Sequence, residues 1–218
     1  MNLKRENKMK IGIIGSGKIG GTLGKHWSKA GHKVLFSSRH PNELNDMVRE
    51  SGKNAKAVSV AEAFEANADV YLLATPFKAI NETAEVFAGE YGNKVIIDAT
   101  NPYPERDGEV AQEVRDNNRN ASEYTALKFN TAVTAKAFNT IHHKDLKNRA
   151  FDEANPMAVP FAAQDAKSRK VTEQLISDIG FVPLYVGDLG ATNAMEVDEK
   201  LYGVSTDEQE MRSLLQMS

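Results

Sequence analysis

The sequence predicts one α/β domain built on a doubly wound, mostly parallel sheet of about eight strands. Three observations predict it. Short apolar runs alternate with helical patterns almost to the end of the chain. Most of the runs are continuously apolar rather than alternating. The first of them leads directly into a glycine-rich turn and then an amphipathic helix. Continuously apolar strands are those covered on both faces, as in a parallel sheet, and repeated β-α units assemble into such a sheet through right-handed crossovers.

In chain order, strand-type runs occupy residues 10–15, 33–37, 69–74, 94–98, 132–138, 157–163 and 181–186, with a weaker one at 56–60. Between the first two, Ile19, Leu23, Trp27 and Ala30 recur at helical spacing. Val171, Leu175, Ile176 and Ile179 do the same between the last two. Trp27, four residues after Leu23, therefore belongs to the core rather than to a ligand. The least regular segment is 103–130, where the polar run 115–120 reads as a helix end followed by an exposed loop. Gly, Pro and Asn fall singly at element ends, as at Asn101-Pro102, and no linker, repeat or low-complexity stretch divides the chain. Residues 9–218 are therefore one domain, ending in a helical segment. Residues 1–8 read as a flexible N-terminal extension, with Met9 as a second candidate start.

The 218 residues are 41% hydrophobic and 26% charged, an ordinary globular composition. A net charge of −3 gives no electrostatic footprint for nucleic acid or an anionic membrane. No apolar run approaches the roughly 20 residues of a membrane helix. The absence of cysteine excludes disulfides, thiolate metal sites and a cysteine nucleophile, and it leads us to expect a cytoplasmic protein. The stretch 191–218 carries Met195, Val197, Leu201, Val204, Met211, Leu214, Leu215 and Met217. That is more apolar material than a lone tail needs to bury, which predicts a homodimer.

The chemistry begins at Gly15-Ser16-Gly17-Lys18-Ile19-Gly20, a GxGxxG pattern placed between a strand and a helix. That context makes it a Rossmann-type dinucleotide loop. Gly15 permits the tight turn, Gly17 lets a pyrophosphate approach the backbone, and Gly20 lets helix and strand pack closely. Free amides at the helix start meet the negative charge. About 20 residues further on, where NAD enzymes place a carboxylate against the ribose hydroxyls, the chain has Ser37, Ser38, Arg39 and His40, with no acid until Glu43. Ser38 can donate a hydrogen bond to a 2′-phosphate and Arg39 can pair with it in a fork. The expected cofactor is NADP.

Ala74-Thr75-Pro76-Phe77 falls at the exit of a later strand, the edge that lines ligand crevices in open sheets. Asp98 and Asn101, in Asp98-Ala99-Thr100-Asn101-Pro102, either cap a loop or touch cofactor. His142 and His143 are adjacent, point about 100° apart on a helix and cannot chelate one metal together, so no metal site is expected. One of them could face an acceptor pocket. No serine nucleophile or general-base dyad is found, which suits hydride transfer between two cofactor rings.

From Met9 onward the chain resembles the NADP oxidoreductases that depend on the 8-hydroxy-5-deazaflavin coenzyme F420. It is also similar to the cytosolic domain of the six-transmembrane ferric reductases. The resemblance rests on Gly15 to Gly20, Ser38-Arg39, Leu73-Ala74-Thr75-Pro76-Phe77, Ile97 to Pro102, Lys136-Ala137-Phe138-Asn139-Thr140, and Asp178-Ile179-Gly180-Phe181 with Gly187-Asp188-Leu189. It implies phosphate contacts at Ser16, Gly17, Lys18 and Ile19, and 2′-phosphate contacts at Ser38 and Arg39. It further implies that Ala74, Thr75 and Pro76 lie against the nicotinamide ribose, and that Ala137 and Phe138 help wall the nicotinamide face. One departure stands out: Asn42-Glu43 occupy a stretch where the deazaflavin enzymes carry a lysine, which implies a weaker preference for NADP.

The function expected from the sequence is an NADP(H)-dependent oxidoreductase that passes hydride between NADPH and a flavin, deazaflavin or similar small redox co-substrate. One alternative is a reductase of imines or small carbonyl compounds, whose relatives add a helical domain for which this pattern leaves no room. The other is a non-catalytic NADP-sensing module.

Overall fold

The computed structural model describes residues 8–87, 94–116, 120–130 and 132–217. Strand β1 (Lys10–Ile14) buries Ile11 and Ile13 on one face and Ile14 on the other, the two-sided burial that its continuous apolar run predicts. It lies inside an eight-stranded sheet with β2 (Lys33–Ser37), β3 (Ala55–Val58), β4 (Val70–Leu73), β5 (Val95–Asp98), β6 (Val133–Ala137), β7 (Ala158–Ala163) and β8 (Val182–Gly187), in the order β3-β2-β1-β4-β5-β6-β7-β8. All eight strand runs read from the sequence are strands.

The six strands β1 to β6 are parallel, and the order reverses between β1 and β4. β7 runs antiparallel to β6, with Lys136 opposite Ala162, and β8 is parallel to β7. The chain leaves β6 and re-enters the sheet at the same edge, so this β-α-β unit is not a crossover, unlike the earlier ones.

Helices α1 (Lys18–Lys29), α2 (Asn45–Ser51), α8 (His143–Asn148) and α9 (Ala166–Ser177) cover the Ile11 face, where Leu23, Trp27, Leu146, Leu175 and Ile176 join the core. Trp27 is fully buried and its indole N–H donates to the Leu175 carbonyl at 2.9 Å, so it is a core residue with its one polar atom satisfied. Helices α3 (Val60–Glu65), α4 (Ile80–Phe87), α6 (Glu109–Asp116) and α7 (Ala121–Lys128) cover the Ile14 face with Phe64, Ile80, Phe87, Val114 and Tyr124.

The segment 103–130 is more regular than its sequence suggests. It forms α5 (Pro104–Asp107), α6 and α7, the last held by a reciprocal cap between Asn120 and Glu123. The expected helix end is met at Asp116, while 117–119 of the expected loop lie outside the described residues. Most of the expected N-terminal extension, 1–7, lies outside them too.

After β8 the chain makes a 3-10 turn, Leu189–Met195, and crosses back to the edge where β6 ends. There the Gly203 N–H donates to the Thr140 carbonyl at 2.7 Å. Met195, Leu201 and Met211 are buried against Ala158 and Leu184, with Leu215 and Met217 packed on them. The apolar surplus of the tail, including helix α10 (Glu208–Leu215), is thus largely used within the chain. Leu214 remains 37% exposed.

Candidate functional site: a dinucleotide cleft at the sheet's carboxyl edge

Where strand order reverses, two strands diverge from their loops and leave a crevice at their carboxyl ends. A cleft of about 750 Å³ occupies that position, between the exits of β1, β2 and β4. Of the residues singled out in the sequence, Gly15, Ser16, Gly17, Ser38, Arg39, Ala74, Thr75 and Pro76 line it. Lys18, Ile19 and Gly20 form the first turn of α1 beneath it.

The three glycines differ as their expected roles require. Gly15 has a φ of 96°, and a Cβ there would sit 2.8 Å from the Ala74 backbone. A Cβ on Gly20 would meet the Gly15 carbonyl at 2.2 Å, which is the close helix–strand packing. Gly17 is the opposite case: a Cβ would find nothing within 4 Å, so this stretch of backbone faces open space. Helix α1 starts at Gly17 with no side-chain cap and no acidic residue in its first turn. Its orphan amides and positive dipole end therefore point into a space large enough for a phosphate.

The loop is tied to its neighbour. Ser16 Oγ donates to the Ser37 carbonyl at 3.0 Å, and Ser37 Oγ donates to Ile13 at 2.7 Å. Ser38 Oγ accepts from the His40 N–H at 3.0 Å, leaving its own proton to donate. Arg39 is exposed and has no ion pair among the described residues. Glu43 lines the same end of the cleft, so the acid noted in the sequence does face the site. Thr75 Oγ1 is buried with no hydrogen-bond partner among the described residues, a polar atom at the β4 exit with its bonding capacity unused. These features fit a phosphorylated dinucleotide.

Ala137 and Phe138 are not on the cleft. Both are fully buried, and Phe138 packs edge-on against Trp27 with ring centroids 5.9 Å apart. A φ of 66° at Phe138 turns the chain out of β6 at this residue. The two side chains expected to wall the nicotinamide are core residues, and the polar Asn139 and Thr140 follow them at the edge. Asn139 Nδ2 donates to Asn101 Oδ1 at 3.1 Å and to the Met195 carbonyl at 2.8 Å.

Asp98 resolves as structural. Its Oδ1 accepts from the Thr100 N–H at 2.8 Å, and its Oδ2 accepts from Lys136 Nζ at 3.1 Å and from Thr125 Oγ1 at 2.9 Å. Asp98 and Lys136 are directly opposite in the β5–β6 register and both are fully buried. Lys136 also donates to the Thr100 carbonyl at 2.6 Å, so the pair fixes the exits of two strands. Glu196 lies near it. Burial first pushes that carboxyl up, and the Lys136 charge opposes the shift.

His142 is exposed and its Nδ1 accepts from the Lys144 N–H at 3.4 Å, a weak cap on α8. His143 lies near Lys18. Partial burial, then the charges of His142 and Lys18, hold its imidazole below the ordinary value. Among the described residues no three metal-ligating side chains cluster.

The fold and its crevice are those of a Rossmann-type dinucleotide-binding domain. Residues 10–102 match the family described as NADP oxidoreductase, coenzyme F420-dependent, so that family's signature extends from β1 through the β5 exit. The chain is 22% identical over 187 residues to the rat metalloreductase STEAP3, covering 86% of this chain and 36% of that protein. It thus spans about a third of that relative's length. Several solved structures share the fold. One is a hypothetical protein of Sinorhizobium meliloti, SMa0349, at 24% identity and a TM-score of 0.80, covering 95% of this chain and all of that one. Another is a putative F420-dependent NADP-reductase of Arthrobacter sp., at 21% and 0.71, covering 88% and 90%. A reductive aminase of Aspergillus terreus solved with NADPH4 is similar at 15% identity and a TM-score of 0.61, over 87% of this chain and 58% of that one.

Proposed function

We propose that the protein binds NADP(H) in this cleft and transfers hydride between it and a flavin, deazaflavin or similar small redox acceptor. One observation carries the reading. At the switch point, the uncapped start of α1, the open backbone at Gly17 and the unpaired Arg39 line a single cleft. Gly15 to Gly20 would hold the pyrophosphate, Ser38 and Arg39 the 2′-phosphate, and Ala74, Thr75 and Pro76 the ribose next to the reacting ring. The cofactor brings the hydride chemistry, and the chain supplies position and electrostatics. The family match over residues 10–102 supports a deazaflavin-type acceptor.

A second reading, reduction of an imine or carbonyl compound, is favoured by Tyr103 and Tyr202. Their hydrogen-bonded hydroxyls are a donor pair that the sequence did not reveal.

NADPH oxidation followed at 340 nm with riboflavin, a deazaflavin, a cyclic imine and a simple ketone tests the proposal. Turnover with the first two is expected. Preferential turnover of the imine or the ketone would favour the second reading, because an alkoxide developing from a ketone needs a positioned donor and the two phenols are donors at hand. NADPH binding without turnover of any acceptor would point to a sensing module instead. Assembly as a homodimer belongs to the same proposal, with Leu214 as an apolar group left exposed near the C-terminus. Light scattering should then give twice the 24.0 kDa chain mass.

A further inference from the structure

Strand β5 exits through Asn101 and Pro102 into Tyr103, and 99 residues later the returning tail brings Tyr202 to the same edge. The two phenol oxygens are hydrogen-bonded to each other, with ring centroids 6.5 Å apart at an interplanar angle of 68°.

Both are held in place. The Tyr103 N–H donates to Asp107 Oδ2 at 2.8 Å, and Asp107 Oδ1 accepts from the N–H of Lys78 at 3.2 Å. Lys78 lines the dinucleotide cleft, so one buried carboxylate ties Tyr103 to the cleft wall. Arg106 pairs with that carboxylate at 2.7 Å, donates to the Asn101 carbonyl at 2.7 Å, and lies 4.6 Å from the centre of the Tyr103 ring. Tyr202 is fixed by its neighbour Gly203, whose N–H donates to Thr140.

A phenol pair has two protons and uses one between its members. The other is available to a ligand. Burial, and next the hydrogen bond with Tyr103, push the Tyr202 hydroxyl above the ordinary phenol value, so it stays protonated at neutral pH. Both rings are only half-buried. Asn139 Oδ1 and Thr140 Oγ1 are buried at this edge with no partner among the described residues.

We propose that the Tyr103–Tyr202 pair is the hydrogen-bond donor of the acceptor pocket, recognising an oxygen or nitrogen conjugated to the atom that receives hydride. This rests on the proposed NADP(H) function. The acceptor gains the hydride pair from reduced nicotinamide at one atom, and its π pair moves to the conjugated oxygen or nitrogen. A tyrosine proton neutralises that charge, and water restores the proton through the second phenol. The net change is NADPH plus acceptor plus one proton giving NADP⁺ plus reduced acceptor. Two sources share this chemistry: a flavin-type ring with a carbonyl conjugated to its reducible nitrogen, and an imine, whose own nitrogen takes the proton.

The test uses Tyr202→Phe and Tyr103→Phe in the full chain, each keeping its ring and each removing the pair from a different side. NADPH oxidation is measured with riboflavin and with 1-pyrroline, in water and in deuterium oxide, alongside NADPH affinity. Loss of one hydrogen bond to the reacting system should lower kcat/KM by about tenfold or more and diminish the solvent isotope effect, with NADPH affinity unchanged within about twofold. Loss confined to riboflavin assigns the flavin-type source, and loss confined to 1-pyrroline assigns the imine. Unchanged kcat/KM and isotope effect in either folded variant would overturn the donor role while leaving the hydride function standing. Failure of the wild-type chain to bind NADPH, or to oxidise it with either acceptor, would count against the proposed function itself.

Discussion

Replacing Gly17 with valine is expected to abolish NADPH binding while leaving the protein folded. The backbone at Gly17, with φ −78° and ψ −153°, is open to any residue, and a Cβ there would meet no protein atom within 4 Å. The Cβ of a valine therefore meets no protein atom in the apo protein. Its methyl groups would fill the space through which a pyrophosphate reaches the amides of α1. Losing these charge-assisted hydrogen bonds together should weaken binding by roughly a hundredfold or more, about 3 kcal/mol. The thermal midpoint should stay within a few degrees of wild type. Gly20 behaves in the opposite way: a Cβ there lies 2.2 Å from the Gly15 carbonyl and would disturb folding instead. Undiminished NADPH affinity in folded Gly17→Val protein, read by fluorescence titration, would remove the phosphate site from this loop.

Lys136→Met should produce the largest loss of stability. Lys136 and Asp98 are both fully buried and share one ion pair. Removing the ammonium leaves a buried carboxylate whose partners are Thr100 and Thr125, and a Thr100 carbonyl without its donor. Breaking one side of such a pair costs about 3–5 kcal/mol. In a chain of this size that is a fall in Tm on the order of 10 °C. Calorimetry of Lys136→Met, and of Lys136→Met with Asp98→Asn, checks it. The second change should recover part of the loss by taking the uncompensated charge out of the core. A Tm change under about 2 °C for Lys136→Met would show that the pair is not what holds the two strand exits.

The sheet was legible because its strands declare themselves locally. Each apolar run reports burial on both faces, and each crossover packs beside its own strand. The antiparallel turn into β7 was not, since Ala158–Ala163 is as apolar as the parallel strands and the reversal depends on where the connection re-enters the sheet. The glycine-rich turn was legible because its three glycines fall within six consecutive residues, Gly15 to Gly20, and the place of Ser38-Arg39 at the same cleft because its distance from that turn is set by one β-α-β unit.

What escaped the sequence is what chain-distant pairing creates. Asp98 and Lys136 meet only through the β5–β6 register, so the family-like Lys-Ala-Phe-Asn-Thr block holds a structural lysine at its head. Phe138 turns inward because its backbone is left-handed, a conformation unusual for phenylalanine that no local pattern signals. Tyr103 and Tyr202 are joined only because the tail recrosses the sheet. The one hint was Tyr103 directly after Asn101-Pro102, at a strand exit.

On the proposed reading, the crevice between β1 and β4 takes a dinucleotide carrying a 2′-phosphate. Calorimetric titration of wild-type and Arg39→Ala protein with NADPH and NADH tests it most directly. A charged hydrogen bond to the 2′-phosphate contributes about 1.5–3 kcal/mol, or roughly ten- to a hundredfold in affinity. The expected result is NADPH binding tighter than NADH by about that factor in the wild type, with Arg39→Ala erasing the difference by weakening NADPH alone. Equal affinities in the wild type, or equal losses of both cofactors in Arg39→Ala, would contradict the account.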